Sequence, residues 1–201
     1  GRAAHTMPGD VGQPEEAERI CRAALDEHGP FDILINNVGG RRINIPTEDL
    51  PTEDWRAIID LNLTSTFVCT KIIGGAMLKH GRGRVINNAS ISGMIASRNI
   101  GGRSYEASKA AVIAFTRATA ADWAPHGVTV NAICPGGFMT EPNQRWAKEN
   151  PAVIESFEAA IPAGKFGEPE DLGPLAVYLA SDASRYMTGA TMVIDGGYTL
   201  W

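Results

Sequence analysis

Short apolar runs that each end in a polar or glycine-bearing loop, separated by segments of helical period, constrain this chain more than any other pattern. Ile33-Leu34-Ile35 runs into Asn36-Asn37-Val38-Gly39, and Val128 to Cys134 runs into Pro135-Gly136-Gly137. Runs without polar alternation suit strands buried on both faces, and their loops turn into a crevice at the strands' carboxyl ends. Between them, Pro14 opens a helix in which Ala17, Ile20, Cys21, Ala24 and Leu25 recur at helical spacing until Gly29-Pro30 stops it. A loop through Pro46 and Pro51 precedes a helix opened by Thr52 and carrying Trp55, Ile58 and Ile59. Gly81-Arg82-Gly83 ends that region, and Arg84 to Ala89 reads as the next strand. A further helix holds Tyr105, Val112, Phe115 and Trp123 and stops at Gly127. Alternation of this kind predicts one α/β domain over 1–201, a parallel sheet covered on both faces, with no internal repeat or linker.

Within that frame the chemistry concentrates at Tyr105-Glu106-Ala107-Ser108-Lys109, with Ser90 upstream in Ala89-Ser90-Ile91-Ser92-Gly93. A spacing of four on a helix advances about 400° and roughly 6 Å, which puts phenol and ammonium on one face. A tyrosine titrates at about 10, and a nearby cation stabilises its phenolate. With a Ser90 hydroxyl to hold a substrate oxygen, Tyr105 would exchange the proton of an alcohol–ketone interconversion. A hydride must move as well, and no side chain accepts one, so a nicotinamide is implied. Asn62, an amide among Leu61, Leu63, Phe67 and Val68, needs a hydrogen-bond partner if buried there.

These parts, in this order, resemble the short-chain dehydrogenase/reductase family over essentially the whole chain. The N-N-A-G element of that family corresponds to Asn36-Asn37-Val38-Gly39, its asparagine to Asn62, its serine to Ser90, its Y-x-x-x-K to Tyr105 and Lys109, and its proline-glycine loop to Pro135-Gly136 through Thr140. Met187-Thr188-Gly189 through Val193-Ile194-Asp195-Gly196-Gly197 looks like its last strand. The resemblance implies a doubly wound, three-layer, Rossmann-like sheet and NAD or NADP as cofactor. It implies Tyr105 as general acid/base, with Lys109 lowering its pKa and bonding the nicotinamide ribose. Ser90 would polarise the substrate oxygen, and Asn62 would hold a water of a proton relay. Asp10 and Val11 would contact adenine, Asn37, Val38 and Gly39 the adenosine ribose side, and Pro135, Gly136, Phe138 and Thr140 the nicotinamide. It also implies a homotetramer that pairs the Tyr105 helix between subunits.

Two departures from the family stand out. Its glycine-rich dinucleotide fingerprint is absent, and the chain reads as beginning near the third strand, at His5 to Val11. The strands missing by this reading would lie mid-sheet, so the strand at Ile33 to Ile35 is expected to present an open apolar edge, and the sequence is expected to be part of a longer protein. The residue that selects NAD or NADP would lie in the missing part. Secondly, the Ser90–Tyr105 interval is two residues longer than the family's common spacing; the extra length falls in Ser97 to Arg103, a polar stretch expected to shape the substrate entrance.

Between Gly136 and Gly167, prolines 142, 151 and 162 bracket short helical pieces such as Ala152 to Ala160. An irregular insertion beside a reaction centre, here 137–167, is expected to be a substrate lid with Phe138, Met139, Trp146 and Phe157 as its lining, unless Trp146 and Phe157 anchor the lid's own packing. Arg41 and Arg42 follow the Asn36–Gly39 loop and would suit an anionic substrate if one guanidinium faces the crevice.

Composition adds exclusions. The chain is 44% hydrophobic and 20% charged, with no apolar run near the roughly 20 residues of a membrane span. A net charge of −5 without basic clusters argues against nucleic acid. Cys21, Cys69 and Cys134 are widely spaced and odd in number, and none of the four histidines is paired at metal spacing; reduced thiols, a cytoplasmic setting and no metal are expected. The reading is an oxidoreductase acting on a secondary alcohol or ketone, closer in look to gluconate 5-dehydrogenase than to 3-oxoacyl-carrier-protein reductases, with the latter as an alternative. A non-catalytic scaffold lacking its nucleotide-binding half is the alternative of another class.

Overall fold

Parallel strands pair here because each apolar run is followed by a helix long enough to return the chain to the start of the next strand. The computed structural model describes residues 3–40, 43–96 and 103–200. Its elements are α1 (Pro14–His28), β1 (Ile33–Asn36), α2 (Thr52–His80), β2 (Gly83–Asn88), α3 (Arg103–Trp123), β3 (Val128–Pro135), α4 (Glu141–Glu149), α5 (Pro151–Glu158), α6 (Gly173–Ala180) and β4 (Thr191–Ile194). The strands form one parallel sheet in the order β1-β2-β3-β4, with Ile35 opposite Ile86, Ile86 opposite Asn131, and Cys134 opposite Val193.

Successive side chains on these strands point to opposite faces, and each face has its own core. On one, Val85, Val128 and Val130 pack with Ala17 and Cys21 of α1, Val68, Ile72, Ile73 and Met77 of α2, and Ala120 of α3. On the other, Ile86 and Ile133 pack with Leu179 of α6, joined by Met192 and Ile194. The result is the expected three-layer, doubly wound arrangement. Burying each such valine or isoleucine contributes about 1.5–3 kcal/mol. Helix α6 is an element the sequence reading omits: Gly-Pro-Leu-Ala-Val-Tyr-Leu-Ala is apolar on all sides and carries no helical period.

Helix α2 is long and apolar enough to cross a membrane by length and composition, an exception to the composition-based exclusion, but half of its most apolar stretch is buried within the protein. It contains two π-helical turns, Asp60–Thr64 and Thr70–Gly74.

The expected bare region at β1 is present. Ile33 and Ile35 are 44% and 50% exposed, because α6 covers the sheet only from β2 onward. The stretch His5–Val11, read as a strand, is not one: residues 3–13 contain no strand, since no described strand lies beyond β1 for their backbone groups to pair with. Arg41, Arg42 and the stretch 97–102 lie outside the described residues, and so does the test of what they were expected to do.

A polar relay ties β1 and β2 to α2 and α3. Asn36 Nδ2 donates to Thr70 Oγ1 and Asn87 Oδ1 at 2.9 and 2.8 Å; Asn87 Nδ2 donates to Thr116 Oγ1 at 2.9 Å, and Thr116 Oγ1 to the Val112 carbonyl. All four side chains are buried, and every bond named here satisfies a group that would otherwise be costly to enclose.

Candidate active site

The strand ends β1, β2 and β3 and the first turns of α3 converge on a cavity of 460 Å³ lined by Asn37, Gly39, Gly40, Asn88, Ala89, Ser90, Tyr105, Lys109, Pro135, Gly136, Phe138, Thr140, Pro142, Asn143 and Leu172. Parallel strands present their loops at one edge, which is why residues as far apart in sequence as Asn37 and Leu172 meet there.

Lys109 sits in α3 one turn after Tyr105 and is 3% exposed. Its Nζ donates to the Asn88 carbonyl at 2.7 Å and stands 5.8 Å from the centre of the Tyr105 ring. Burial pushes the ammonium down from 10.5 to about 8, with the neighbouring Cys134 acting in the opposite direction. The lysine therefore remains mainly cationic at neutral pH. An ammonium has three N–H donors, and the Asn88 bond uses one.

Ser90 lies two residues past the end of β2 with extended backbone and caps the short turn Ile91–Gly93, its Oγ accepting from the Ser92 amide at 3.1 Å. The hydroxyl proton is not consumed by that bond. Gly93 explains how closely this turn approaches the helix: a Cβ there would stand 2.6 Å from the Lys109 carbonyl carbon and 2.7 Å from the Ala110 nitrogen. Only a residue without a Cβ lets the serine turn seat against α3 at the lysine.

Asn62 occupies the first π turn of α2 and is fully buried. Turns of this type widen the helix and recur at functional sites. Its Nδ2 donates to the Ile58 carbonyl at 2.9 Å and the Gly40 carbonyl at 3.2 Å, and its Oδ1 accepts from the Gly40 amide at 3.0 Å. The amide thus grips the loop after β1 by both polar groups of one residue. A Cβ on Gly39 would lie 2.6 Å from Asn62 Oδ1 and 3.0 Å from Lys109 Nζ, so this bare glycine lets the loop pass directly over both side chains.

Among the residues singled out in the sequence, Asn37, Gly39, Ser90, Tyr105, Lys109, Pro135, Gly136, Phe138 and Thr140 share the cavity. Val11 and Val38 line an adjoining apolar groove with Asn37, Leu34 and Thr66. Asp10 lines a separate recess beside α2, and its carboxylate accepts from the Gly12 amide at 2.9 Å. Asn62 lies behind the cavity rather than on its wall. Trp146 is 44% exposed and does not line the cavity, while Phe157 stacks on Phe166 and Tyr198 with ring centres 5.2 and 4.8 Å apart. Of the aromatic residues expected to line the insertion, Phe138 does so.

Four lining residues, Gly40, Asn88, Asn143 and Leu172, escaped the sequence reading, and the two asparagines make bonds that shape the site. Asn88 accepts from Lys109 through its carbonyl and donates through Nδ2 to Asn37 Oδ1 at 2.8 Å, joining two strand ends. Asn143 Nδ2 donates to the Phe138 carbonyl at 2.8 Å and fixes the start of the insertion. A strand-end position was the available signal for Asn88; nothing in the sequence pointed to Asn143.

A family profile described as enoyl-(acyl carrier protein) reductase matches residues 1–199. A 3-oxoacyl-[acyl-carrier-protein] reductase of Synechocystis is 38% identical over 202 residues, covering all of this chain and 78% of the relative. A galactitol 2-dehydrogenase (L-tagatose-forming) of Cereibacter sphaeroides is 38% identical over 195 residues, covering 95% and 75%. The crystal structure of a putative NAD(P)-dependent gluconate 5-dehydrogenase from Beutenbergia cavernae, with NADP bound at low occupancy, superposes with a TM-score of 0.92 at 35% identity, covering all of this chain and 79% of that one.

Proposed function

The chain belongs to the short-chain dehydrogenase/reductase family, and from that premise we propose that it oxidises a secondary alcohol of a sugar acid or polyol to the ketone, or runs the reverse reaction, with NAD or NADP. The convergence of Ser90, Tyr105 and a buried cationic Lys109 on one cavity carries this reading.

The cavity fits the nicotinamide end of such a cofactor. Lys109 keeps N–H donors beyond its bond to Asn88, and Gly39 leaves an uncrowded wall beside it. Asn37, Gly39, Pro135, Gly136, Phe138, Thr140, Tyr105 and Lys109 would hold that end, and the groove of Val11 and Val38 would receive the adenosine side. Asp10 would contribute at the adenine through its exposed carboxylate. The nicotinamide, when bound, supplies the site that exchanges the hydride.

What the chain's own groups do follows from their chemistry. Ser90 Oγ–H donates to the substrate oxygen and fixes the carbon it belongs to. Tyr105 removes the proton of that oxygen in the oxidative direction and returns it in the reductive one. Lys109 favours the phenolate by its charge, and Asn88 orients the ammonium. Asn62 holds the loop that passes over Lys109, which places it among the positioning residues. The segment 137–167 closes over substrate from the Phe138 side, with Phe157 as its anchor.

A homotetramer built through α2 and α3 completes the reading. Phe67 is 47% exposed on α2 and makes an edge contact of 6.2 Å between ring centres with Phe115 of α3, an apolar patch suited to helix pairing between subunits. The three free cysteines are compatible with a reducing, cytoplasmic setting.

Titration with NADH and NADPH followed by nicotinamide fluorescence, then turnover assays over sugar acids, polyols and β-ketoacyl thioesters, tests the proposal. Saturable binding with fastest turnover on a sugar acid or polyol is expected. Preference for the thioester would replace the substrate class, and turnover of none would defeat the enzyme reading.

A further inference from the structure

His5 and His28 are 23 positions apart in the sequence and meet at the surface with ring centres 4.4 Å apart. Glu27 joins them: its Oε1 is 3.6 Å from His28 Nε2, and one ligand-capable atom from each of the three residues lies within 4.8 Å of the others. We propose that His5, Glu27 and His28 form a binding site for one divalent transition-metal ion of the zinc class, a clasp that ties the segment before α1 to the end of that helix.

Two imidazoles and one carboxylate are a donor set preferred by borderline ions such as zinc, cobalt and nickel over magnesium or calcium, which prefer oxygen alone. Ligand atoms around tetrahedral zinc are about 3.3 Å apart at bond lengths near 2.0–2.1 Å. The present spacing closes to that value by rotation of exposed side chains, with water completing the shell. Helix α1 ends at His28, where unpaired carbonyls give a partial negative charge that favours a cation. The reaction cavity is at the carboxyl ends of the strands, whereas α1 ends just before β1 begins, so the clasp is at the opposite edge of the sheet. Its role is therefore structural. It secures the stretch that leads into Asp10 and Val11.

Calorimetric titration of chelator-treated, full chain with zinc chloride tests this directly. One equivalent of saturable binding is expected, with a rise in the thermal midpoint and no comparable uptake of magnesium. The double variant His5→Ala/His28→Ala should weaken binding by roughly tenfold or more, given that loss of an outer-shell partner alone costs 10–100-fold. Glu27→Gln should weaken it too, and His80→Ala, at an exposed histidine outside the cluster, should not. All three cluster residues are exposed, so an unchanged circular dichroism spectrum is expected of each variant. Absence of saturable zinc binding, or equal affinity in the double variant, as binding at the cysteines would give, overturns the proposal.

Discussion

The Lys109 ammonium donates to the main-chain carbonyl of Asn88 across 2.7 Å, joining the middle of one turn of α3 to the last residue of β2. That single bond fixes where the cation stands relative to Ser90, two residues further on, and to the Tyr105 ring on its own helix. The geometry of the proposed site is a consequence of how one helix is docked on one strand end.

Tyr105→Phe removes the transferable proton and leaves the ring. Turnover should fall by about 10²–10⁴-fold, while NADH affinity changes little. Steady-state kinetics beside a fluorescence titration separates the two quantities, and activity close to wild type would contradict the role given to the phenol.

The buried lysine predicts an unusual pH dependence of stability. Its folded value of about 8 lies below the 10.5 of an exposed lysine, so between those pH values the unfolded chain binds more protons than the folded one. Stability contributed by this group therefore rises from pH 8 to 10.5, by about 3 kcal/mol. Lys109→Met should abolish that rise, raise the urea midpoint at pH 7 and lose turnover. Parallel urea curves for wild type and variant across this range give the comparison.

Gly93→Ala places a methyl group against the backbone of Lys109 and Ala110, which cannot rotate away. Displacement of the serine turn by even 1 Å should lower kcat by on the order of 10²-fold with modest loss of stability. An active, well-folded Gly93→Ala would show that the turn is not held at this distance.

Thr116→Val keeps the shape and deletes the acceptor for Asn87 Nδ2, leaving a buried donor alone. A loss of about 1–3 kcal/mol in urea unfolding is expected. Asn62→Leu, which frees both polar groups of Gly40, should cost about 2 kcal/mol by the same reasoning and loosen the loop over Lys109.

Some of this was legible in the residues themselves. Ile33 to Ile35, Arg84 to Ala89 and Val128 to Cys134 mark their strands because short segments rich in valine and isoleucine, bounded by glycine, asparagine or proline, favour extended backbone. Tyr105 and Lys109 mark one helix face because 3.6 residues complete a turn. Local periodicity needs no knowledge of the rest of the chain.

Other features depended on which segments meet. Phe157 went to Phe166 and Tyr198 rather than to the cavity, Asn62 bonded Gly40 across 22 positions, and α6 formed from a segment with no periodic signature. His5 and His28 became neighbours only because α1 returns the chain to where it started. Sequence determined α1, the strands β1 to β3 and the pair on α3, since these follow from short-range geometry. Tertiary structure decided the partners of each buried polar group, because hydrogen bonds and burial are satisfied by whatever the fold brings within 3 Å, and spacing along the chain does not encode that distance.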